Sequence, residues 1–278
     1  MDLAEYRKAS QDSWERLAAA WGRERGYIWE TTGLVGQNLV ERLDPQPGQT
    51  VLELAAGTGD TGFTAAARVG DSGTLISTDF APAMVEQARR VAGELALENV
   101  EFRVLDAESM DLDDNSVDGV VCRWGYMLMA DPAAALAETR RVLREGGRLS
   151  FSVWAAPDRN PWASVAGMVL VERGHMPPPE PGAPGIFALA DPERIRELVT
   201  GAGFGEPDIE PVEIAWKYPD ADEHWRLTME LAGPLAEAIR GLDEAEREAV
   251  QEAVRERIEP LIAGGAGVSG LCHNVLAE

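Results

Sequence analysis

Apolar runs and helical patterns alternate regularly along the middle of the chain. The runs are short enough for buried strands and lie at 50–55, 74–78, 100–104, 117–122 and 147–154. The patterns between them have helical spacing and lie at 60–69, 81–96 and 132–144. Strands that alternate with helices predict a parallel sheet with right-handed crossovers. We therefore expect a doubly wound, Rossmann-like α/β core over residues 47–154.

The segment before this core, residues 1–46, is predicted to be a helical cap. Residues 5–25 place apolar side chains at spacings of three and four, which indicates one amphipathic helix. Gly22 and Gly26 are expected to loosen the end of that helix, because glycine is a poor helix former. A second helix is predicted at 33–43, and the Asp-Pro pair that follows is expected to end it.

The chain after residue 154 is predicted to complete the sheet and to add a helical lid. Alternation predicts a sixth strand at 209–216 and a last strand at 268–276, and Pro211 favours a sheet edge or a bulge. A stiff, proline-rich connection separates predicted helices, which lie at 162–173, 193–200 and 220–262. Residues 155–278 are thus expected to hold the C-terminal part of the sheet, with a substrate lid inserted at about 219–263.

Candidate chemistry begins where the first strand ends. The stretch TVLELAAGTGDTG, residues 50–62, is a strand, a glycine turn and the start of a helix, with Glu53 inside the apolar run. Glycine in such a turn lets the backbone approach a ligand closely. The second strand ends in Asp79, which lies 20 residues after Gly59. An acid at this distance can accept both ribose hydroxyls of a nucleoside-type ligand.

The same spacing also fits a dinucleotide, so the turn has to separate the two kinds of ligand. A dinucleotide turn has a third glycine that admits the pyrophosphate at the helix N-terminus. Here that glycine is missing at the expected spacing, and the turn is headed by the carboxyl group of Glu53. An acidic head favours a ligand with a positive charge over one with phosphates. A nicotinamide oxidoreductase is therefore the less favoured alternative.

Four motifs in this order resemble the class I S-adenosylmethionine-dependent methyltransferases, in particular the branch similar to the ubiquinone/menaquinone C-methyltransferases. The motifs are VLELAAGTGDTG, ISTDFAPAMVEQARR, VEFRVLDAESMDLDDNSVDGVVCRW and LAETRRVLREGGRLSFSVW, and they cover residues 47–154. The resemblance implies a mostly parallel seven-stranded sheet whose final strands form a hairpin beside the fifth. It also implies S-adenosylmethionine as cofactor and S-adenosylhomocysteine as its product.

The resemblance also assigns cofactor contacts by position. Those at the methionine end of the cofactor are Glu53, Ala55, Gly57 and Gly59. Those at the ribose and adenine are Asp79, Phe80, Met84, Asp106 and Ala107, and Arg123 at the end of the fourth strand is expected to contact the cofactor as well. Ala55 departs from the family's usual first glycine, which leaves less room for the backbone to approach the ligand.

An acceptor pocket is predicted where the fourth strand ends, because ligands bind at the carboxyl ends of strands in open α/β sheets. Trp124, Tyr126 and Met127 would form a soft, aromatic lining there, and Tyr27 of the cap is expected to contact the ligand. Methyl transfer needs a general base only if the acceptor must lose a proton. We predict His175 as that base, ahead of two other histidines, and Tyr126 as a group that orients an acceptor hydroxyl.

Composition limits the possible partners. The formal net charge of −23, from 48 acidic and 25 basic residues, disfavours nucleic acid and anionic membrane surfaces. Two cysteines and no Cys/His cluster with zinc spacing predict a metal-free protein without a disulfide framework. No apolar run is long enough to span a membrane and no signal-peptide pattern is present, so a cytoplasmic location is expected.

These observations predict an enzyme that transfers a methyl group to a small apolar or aromatic molecule. Oxygen, nitrogen and carbon acceptors are all left open, and a homodimer is one of the open oligomeric states. The main alternative is a protein of the same fold that binds the cofactor and performs a non-methylating step, such as cyclisation or carboxymethyl transfer.

Overall fold

A seven-stranded sheet forms the centre of the computed structural model, which describes residues 2–180 and 182–278. Its strands are β1 Thr50–Glu53, β2 Thr74–Asp79, β3 Val100–Val104, β4 Val117–Arg123, β5 Leu143–Trp154, β6 Asp208–Trp216 and β7 Val268–Ala277. They lie in the order β3-β2-β1-β4-β5-β7-β6, and the β7 strand is antiparallel to both of its neighbours. The predicted fold class is confirmed, including the hairpin beside the fifth strand.

Helices cover the sheet and its carboxyl end. They are α1 Leu3–Leu43, α2 Asp60–Val69, α3 Pro82–Glu94, α4 Pro132–Val142, α5 Pro161–Glu172, α6 Pro192–Gly201, α7 Ala221–Leu231, α8 Gly233–Arg240 and α9 Glu244–Ala263. The α5 helix packs on α9, and α9 packs on α7, so these three form one helical layer beside β7. None of the described helices is both long and apolar enough to cross a membrane.

Two hydrophobic layers sandwich the sheet, and the alternation of the strands supplies both. Val51 and Leu75 face one layer with helices α2 and α3, whereas their neighbours Leu52 and Ile76 face the other. Successive side chains of a strand point to opposite faces, so a strand buried on both faces is continuously apolar. This is why the short apolar runs could be recognised in the sequence.

The N-terminal segment differs from its prediction, because α1 is one helix of 41 residues. Thr32 lies inside this helix, just before the start predicted for a second one. Its hydroxyl donates to the carbonyl of Ile28 within the same helix, at 2.7 Å. A Cβ on Gly36 would lie 2.8 Å from the Thr61 hydroxyl of α2, so a small residue there permits close helix packing. Tertiary contacts therefore outweigh the low helix propensity of glycine along α1.

A substitution at Gly26 would measure the effect of helix propensity alone, because a Cβ placed on this residue meets no atom within 4 Å. We expect Gly26→Ala to stabilise the protein by about 0.5–1 kcal/mol, since alanine loses less backbone entropy in a helix. Chemical denaturation would measure the change. A destabilised Gly26→Ala variant would show that α1 is broken at this position, as the sequence alone suggested.

Two further boundaries differ from the prediction. The helix predicted at 132–144 ends at Val142, and β5 begins at once, with Gly146 left-handed at φ 74° inside a register shift against β4. Gly146 thus lies in a bulge of the strand. The segment predicted as helical at 220–262 is three helices. The backbone leaves the helical conformation at Ala232, and Asp243 caps a new helix by accepting the Glu246 N–H at 2.9 Å.

Pro211 lies on the edge strand β6, as predicted.

Candidate functional site

The turn after β1 is built from alternate residues in left-handed conformation. Ala55, Gly57 and Gly59 have φ values of 50°, 57° and 86°. Nothing lies within 4 Å of the position where a Gly57 Cβ would be, so the backbone is open to a ligand there. A Cβ on Gly59 would lie 2.7 Å from Cε2 of the Phe63 ring, so this glycine permits close packing instead. Ala55 adopts the left-handed conformation without the freedom of glycine, which costs of order 1 kcal/mol.

Asp79 joins this turn to the end of β2. Its carboxylate accepts the backbone N–H groups of Gly57 and Ala81, each at 3.0 Å. Burial raises the pKa of Asp79 to about 6, against these two hydrogen bonds, which favour the charged form. The carboxylate therefore fixes the distance between the two parts of the ligand site and keeps lone pairs for a ligand.

Glu53 lies behind the turn and not on its open side. Its carboxyl oxygens accept the backbone N–H of Gly62 at 2.6 Å and the hydroxyl of Ser77 at 2.9 Å. Burial raises the pKa of Glu53 to about 8. The hydrogen bonds from Gly62 and Ser77 oppose this shift, because they favour the charged form. These contacts show that Glu53 holds the start of α2 against β2.

The N-terminal half of α1 crosses the carboxyl ends of the strands. The Arg25 guanidinium pairs with Asp60 at 2.6 Å, just after the glycine turn. The Gln11 amide donates to the carbonyl of Phe80 at 2.6 Å, and the Tyr6 hydroxyl donates to the carbonyl of Leu128 at 2.9 Å. These contacts attach the helix to the segments that follow β1, β2 and β4. The α1 helix therefore closes the site from above.

The predicted adenine contacts lie beside this helix. Met84 is buried in a small cluster with Ala18 and Ala81, and the half-buried ring of Phe80 packs against it. Asp106 is exposed and accepts the backbone N–H of Glu108 at 2.9 Å. Both Asp106 and the neighbouring Ala107 follow β3, so the ends of β1, β2 and β3 bring the predicted residues to one edge of the sheet.

Arg123 ends β4 and lies between two indole rings. Its guanidinium carbon is 4.6 Å from the Trp124 ring centroid and 5.7 Å from that of Trp29. One guanidinium nitrogen donates to the Thr32 hydroxyl at 2.7 Å. Burial lowers the pKa of Arg123, while the nearby carboxyls of Asp60 and Glu53 raise it. A cation with spare donors thus lies beside the glycine turn.

Trp124 follows in a strained conformation. Its φ is 62°, which is rare for a bulky side chain and costs of order 1–3 kcal/mol. Gly125 comes next and lies against the turn, since a Cβ on it would be 2.7 Å from the Cβ of Ala55. Trp124 therefore stands directly beside the predicted cofactor turn.

Tyr126 does not lie on the wall of the site. Its side chain is 0% exposed, its ring packs edge-on against Phe151 at 5.0 Å, and its hydroxyl bonds the Thr139 hydroxyl at 2.6 Å. Burial raises the pKa of this phenol further above its ordinary value. The structure thus places Tyr126 in the core under α4, away from any acceptor. Met127 is also buried, and only Trp124 and Tyr27 of the predicted acceptor residues are partly exposed.

His175 is likewise placed away from the strand ends. It follows α5, whose rise carries it roughly 15 Å from Trp162 at the start of that helix. Its Nε2 lies 2.9 Å from the Glu246 carboxylate, which also pairs with Arg173 at 2.9 Å. The imidazole is therefore engaged in a surface ion-pair group, so the structure does not bring it to the predicted pocket.

Sequence reasoning missed a run of tryptophans that begins at Trp124. Trp124 stacks on Trp154 with ring centroids 4.2 Å apart, Trp154 meets Trp162 at 4.9 Å, and Trp162 meets Trp216 at 4.5 Å. The signal was present, since β4, β5 and β6 are each followed by or end in tryptophan. The β4, β5 and β6 strands run in the same direction, so their tryptophans lie at one edge of the sheet, and Trp162 of α5 links Trp154 to Trp216 there. Tyr27 continues the run, 5.9 Å from Trp216.

Among the residues that the structure describes, no group of three His, Cys, Asp or Glu side chains is suited to hold a metal ion. The described cysteines, Cys122 and Cys272, are both free and buried. Burial raises the pKa of each thiol, to about 12 and about 11, so neither is a reactive thiolate near pH 7.

Known proteins resemble this chain in sequence. A family model described as a methyltransferase domain matches residues 45–167. Demethylmenaquinone methyltransferase from Deinococcus radiodurans is 31% identical over 163 residues, which cover 55% of this chain and 67% of that protein. Aklanonic acid methyltransferase DauC from Streptomyces sp. (strain C5) is 36% identical over 118 residues, 42% of this chain and 54% of that protein. Nocamycin O-methyltransferase from Saccharothrix syringae is 28% identical over 228 residues, 77% of this chain and 76% of that protein.

The chain spans about half the length of several curated relatives that it matches. Solved structures resemble it over most of its length. A SAM-dependent methyltransferase from Aquifex aeolicus aligns with a TM-score of 0.51 at 16% identity, over 87% of this chain and 88% of that one. The [4+2]-cyclase SpnF aligns with a TM-score of 0.53 at 20% identity, over 88% of this chain and 79% of that one. At these identities the likeness concerns the fold alone.

Proposed function

The chain belongs to the class I S-adenosylmethionine-dependent methyltransferases, and from this membership we propose that it transfers the cofactor's methyl group to a small apolar or aromatic molecule. The observation that carries the proposal is the contact between the glycine turn and Asp79. Through this contact, the open backbone at Gly57 lies beside the carboxylate of Asp79. Both groups lie at the switch point of the sheet.

The residues at this site fit the cofactor. In the proposal, the turn at Ala55, Gly57 and Gly59 lies along its methionine end, because Gly57 leaves space where a side chain would obstruct it. Asp79 would accept the ribose hydroxyls, and Phe80 and Met84 would flank the adenine.

The remaining predicted contacts have different roles in the proposal. Asp106 and Ala107 would meet the amino edge of the adenine, and Arg123 offers spare donors to the methionine carboxylate. Glu53 supports the turn from behind through its bond to Gly62.

When bound, the cofactor supplies an electrophilic methyl group. The protein's part is then to align an acceptor with it and to exclude water, which can provide much of the acceleration of an in-line displacement. The α1 helix closes one side of the site through Arg25 and Gln11, and the tryptophan run closes the other. We propose that segments 155–185 and 219–263 act as the substrate lid.

The proposal requires no general base. His175 is paired with Glu246, and Tyr126 is buried, so neither reaches an acceptor in this conformation. An acceptor that is already nucleophilic, or whose proton leaves to solvent, is therefore favoured. The high negative charge supports a small-molecule acceptor over nucleic acid, and we expect a cytoplasmic protein.

Product analysis tests this function. The protein is incubated with S-adenosylmethionine and a panel of aromatic phenols, amines and carbon acids, and products are identified by mass spectrometry. We expect S-adenosylhomocysteine and a product one methyl group heavier, in equal amounts. A rearranged product without S-adenosylhomocysteine would show the non-methylating alternative.

Cofactor binding is also expected to depend on pH through Asp79. Its folded-state pKa of about 6 means that the carboxylate becomes protonated as the pH falls below 6, and a protonated carboxyl accepts ribose hydroxyls poorly. We expect the affinity for S-adenosylhomocysteine to be roughly tenfold lower at pH 5 than at pH 7.5. Calorimetric titration at several pH values measures this, and a flat profile between pH 5 and 7.5 would contradict the role of Asp79.

A further inference from the structure

The two edges of the sheet differ in how they are protected. At one edge, β6 contains Pro211, which has no N–H to donate, and its charged residues Asp208, Glu210 and Glu213 are all acidic. Two copies of this edge would therefore repel each other. Arg42 of α1 also covers its start, by donating to the carbonyl of Asp208 at 2.9 Å. At the other edge, β3 contains no proline, and no described strand pairs with its outer side.

The outer side of β3 presents a row of unpaired backbone groups. The N–H of Leu105 donates to the carbonyl of Asp79 at 3.0 Å, so the odd-numbered residues of this segment turn their peptide groups toward β2. Peptide groups alternate in direction along a strand, so those of Val100, Phe102 and Val104 point away from β2. Val104 is 55% exposed. A row of open donors and acceptors is a template for another strand.

The side chains of β3 form a pattern that is complementary to itself. The strand reads Val-Glu-Phe-Arg-Val, with Phe102 at its centre. In an antiparallel pair of β3 strands with Phe102 opposite Phe102, each Glu101 lies opposite an Arg103, and each Val100 lies opposite a Val104. Opposite charges in facing positions stabilise a strand pair, whereas like charges destabilise it. The strand thus matches a second copy of itself.

Charge also selects this register over its neighbours. A shift by two residues in one direction places Glu101 opposite Glu101, and a shift in the other direction places Arg103 opposite Arg103. A shift by one residue is excluded, because outward peptide groups would then face inward ones. In the selected register, Glu101 and Arg103 form the pair without backbone hydrogen bonds, in which facing side chains lie closest.

The charged pair of β3 is exposed, so a second copy can reach it. The side chains of Glu101 and Arg103 are 55% and 44% exposed, and within one copy they pair at 2.7 Å. No helix lies between β3 and β4, so this face of the strand lacks helical cover, whereas α3 packs on the opposite face, where Phe102 lies under Arg89. An isolated exposed ion pair contributes little, but a second copy extends this one to four alternating charges.

Local neutrality matters because the chain as a whole is strongly acidic. Its net charge of −23 makes two copies repel each other in most orientations. The β3 strand carries one acid and one base, so its own charges do not oppose the approach of a second β3.

We propose that two copies of this chain associate through β3, antiparallel about a two-fold axis at Phe102. This association goes beyond the proposed function, which concerns a single copy. The two Phe102 residues exchange backbone hydrogen bonds, and Val100 of each copy exchanges them with Val104 of the other. The two sheets become one, and the ligand-binding ends of their strands point in opposite directions. Because the shared strand is short, we expect a dissociation constant on the order of micromolar.

Charge reversal tests this interface, with sedimentation velocity at micromolar concentrations as the measurement. The wild type should show a monomer–dimer equilibrium that depends on concentration. Glu101→Arg places Arg opposite Arg, and Arg103→Glu places Glu opposite Glu. Each variant alone should associate roughly tenfold more weakly or less still. An equimolar mixture of the two variants restores every pair of opposite charges, so it should form heterodimers with about the affinity of the wild type.

Glu213→Arg is the matched control, because it reverses an exposed acid on β6 and changes the net charge as much as Glu101→Arg does. It should leave the association unchanged, and circular dichroism checks that each variant is folded. A wild type that stays monomeric, a dimer that both single variants retain, or a mixture of the two that stays monomeric would overturn the proposal. The measurement uses no cofactor, so these results leave the proposed function untouched.

Discussion

Replacement of Asp79 with alanine is expected to weaken S-adenosylhomocysteine binding by roughly 100-fold, the equivalent of two lost charge-assisted hydrogen bonds. The carboxylate is the proposed acceptor for the ribose hydroxyls, and it also holds the backbone N–H groups of Gly57 and Ala81. Its removal therefore loses ligand contacts and releases the turn that shapes the site. Calorimetric titration of the variant measures the loss.

Two comparisons make this prediction specific. Asp71→Ala removes an exposed acid in the turn between α2 and β2 and should leave the affinity unchanged. Asp79→Asn keeps the size of the side chain but gives it one acceptor oxygen in place of two. This variant should therefore bind S-adenosylhomocysteine more weakly, and its affinity should no longer depend on pH. Unaltered affinity in folded Asp79→Ala protein would exclude this residue from the cofactor site.

Gly62→Ala is expected to destabilise the protein by about 2–4 kcal/mol, although alanine normally favours a helix. The reason is the buried contact of Glu53 with the start of α2. A Cβ on Gly62 would lie 2.5 Å from the carboxyl carbon of Glu53, which itself receives the Gly62 N–H and the Ser77 hydroxyl. The carboxyl group must move, and a buried hydrogen bond is lost with it. Chemical denaturation measures the free energy of unfolding.

Gly93→Ala is the matched control, since Gly93 lies in α3 and a Cβ on it meets nothing within 4 Å. This variant should be as stable as the wild type or more stable. A double-mutant cycle then tests the cause. Gly62→Ala should lower the free energy of unfolding less in a Glu53→Ala background, where the obstructing carboxyl is gone. Equal costs in the two backgrounds would show that Glu53 is not the residue in contact.

Local signals explain how much of this fold could be predicted. The strands around Val51 and Leu75 are short and continuously apolar because they are buried on both faces, and a single sequence displays that pattern. The left-handed backbone at Gly57 and Gly59 could likewise be predicted, because glycine is the residue that readily adopts this conformation. The core and the cofactor turn therefore followed from the sequence. The continuous α1 did not, because packing of Gly36 on Thr61 is a tertiary contact.

The tryptophan run and the predicted acceptor residues show the opposite case. Trp154, Trp162 and Trp216 come from separate elements, and only the order of the strands brings them beside Trp124. Its position after the fourth strand selected Tyr126, but the fold buries its hydroxyl against Thr139. His175 was predicted as the base, but the length of α5 and the pairing with Glu246 place it away from the strand ends. How deeply a side chain is buried and how far it lies from the strand ends are tertiary properties. They decide between residues that look equally suitable in a sequence.

The central claim is that this fold binds S-adenosylmethionine at the turn joined to Asp79. Calorimetric titration of the wild type with S-adenosylmethionine, S-adenosylhomocysteine and NAD in parallel tests it most directly. The account predicts binding of the first two at micromolar concentrations and no binding of NAD. Binding of NAD without either of the other two would contradict it and would favour a nicotinamide oxidoreductase on the same fold.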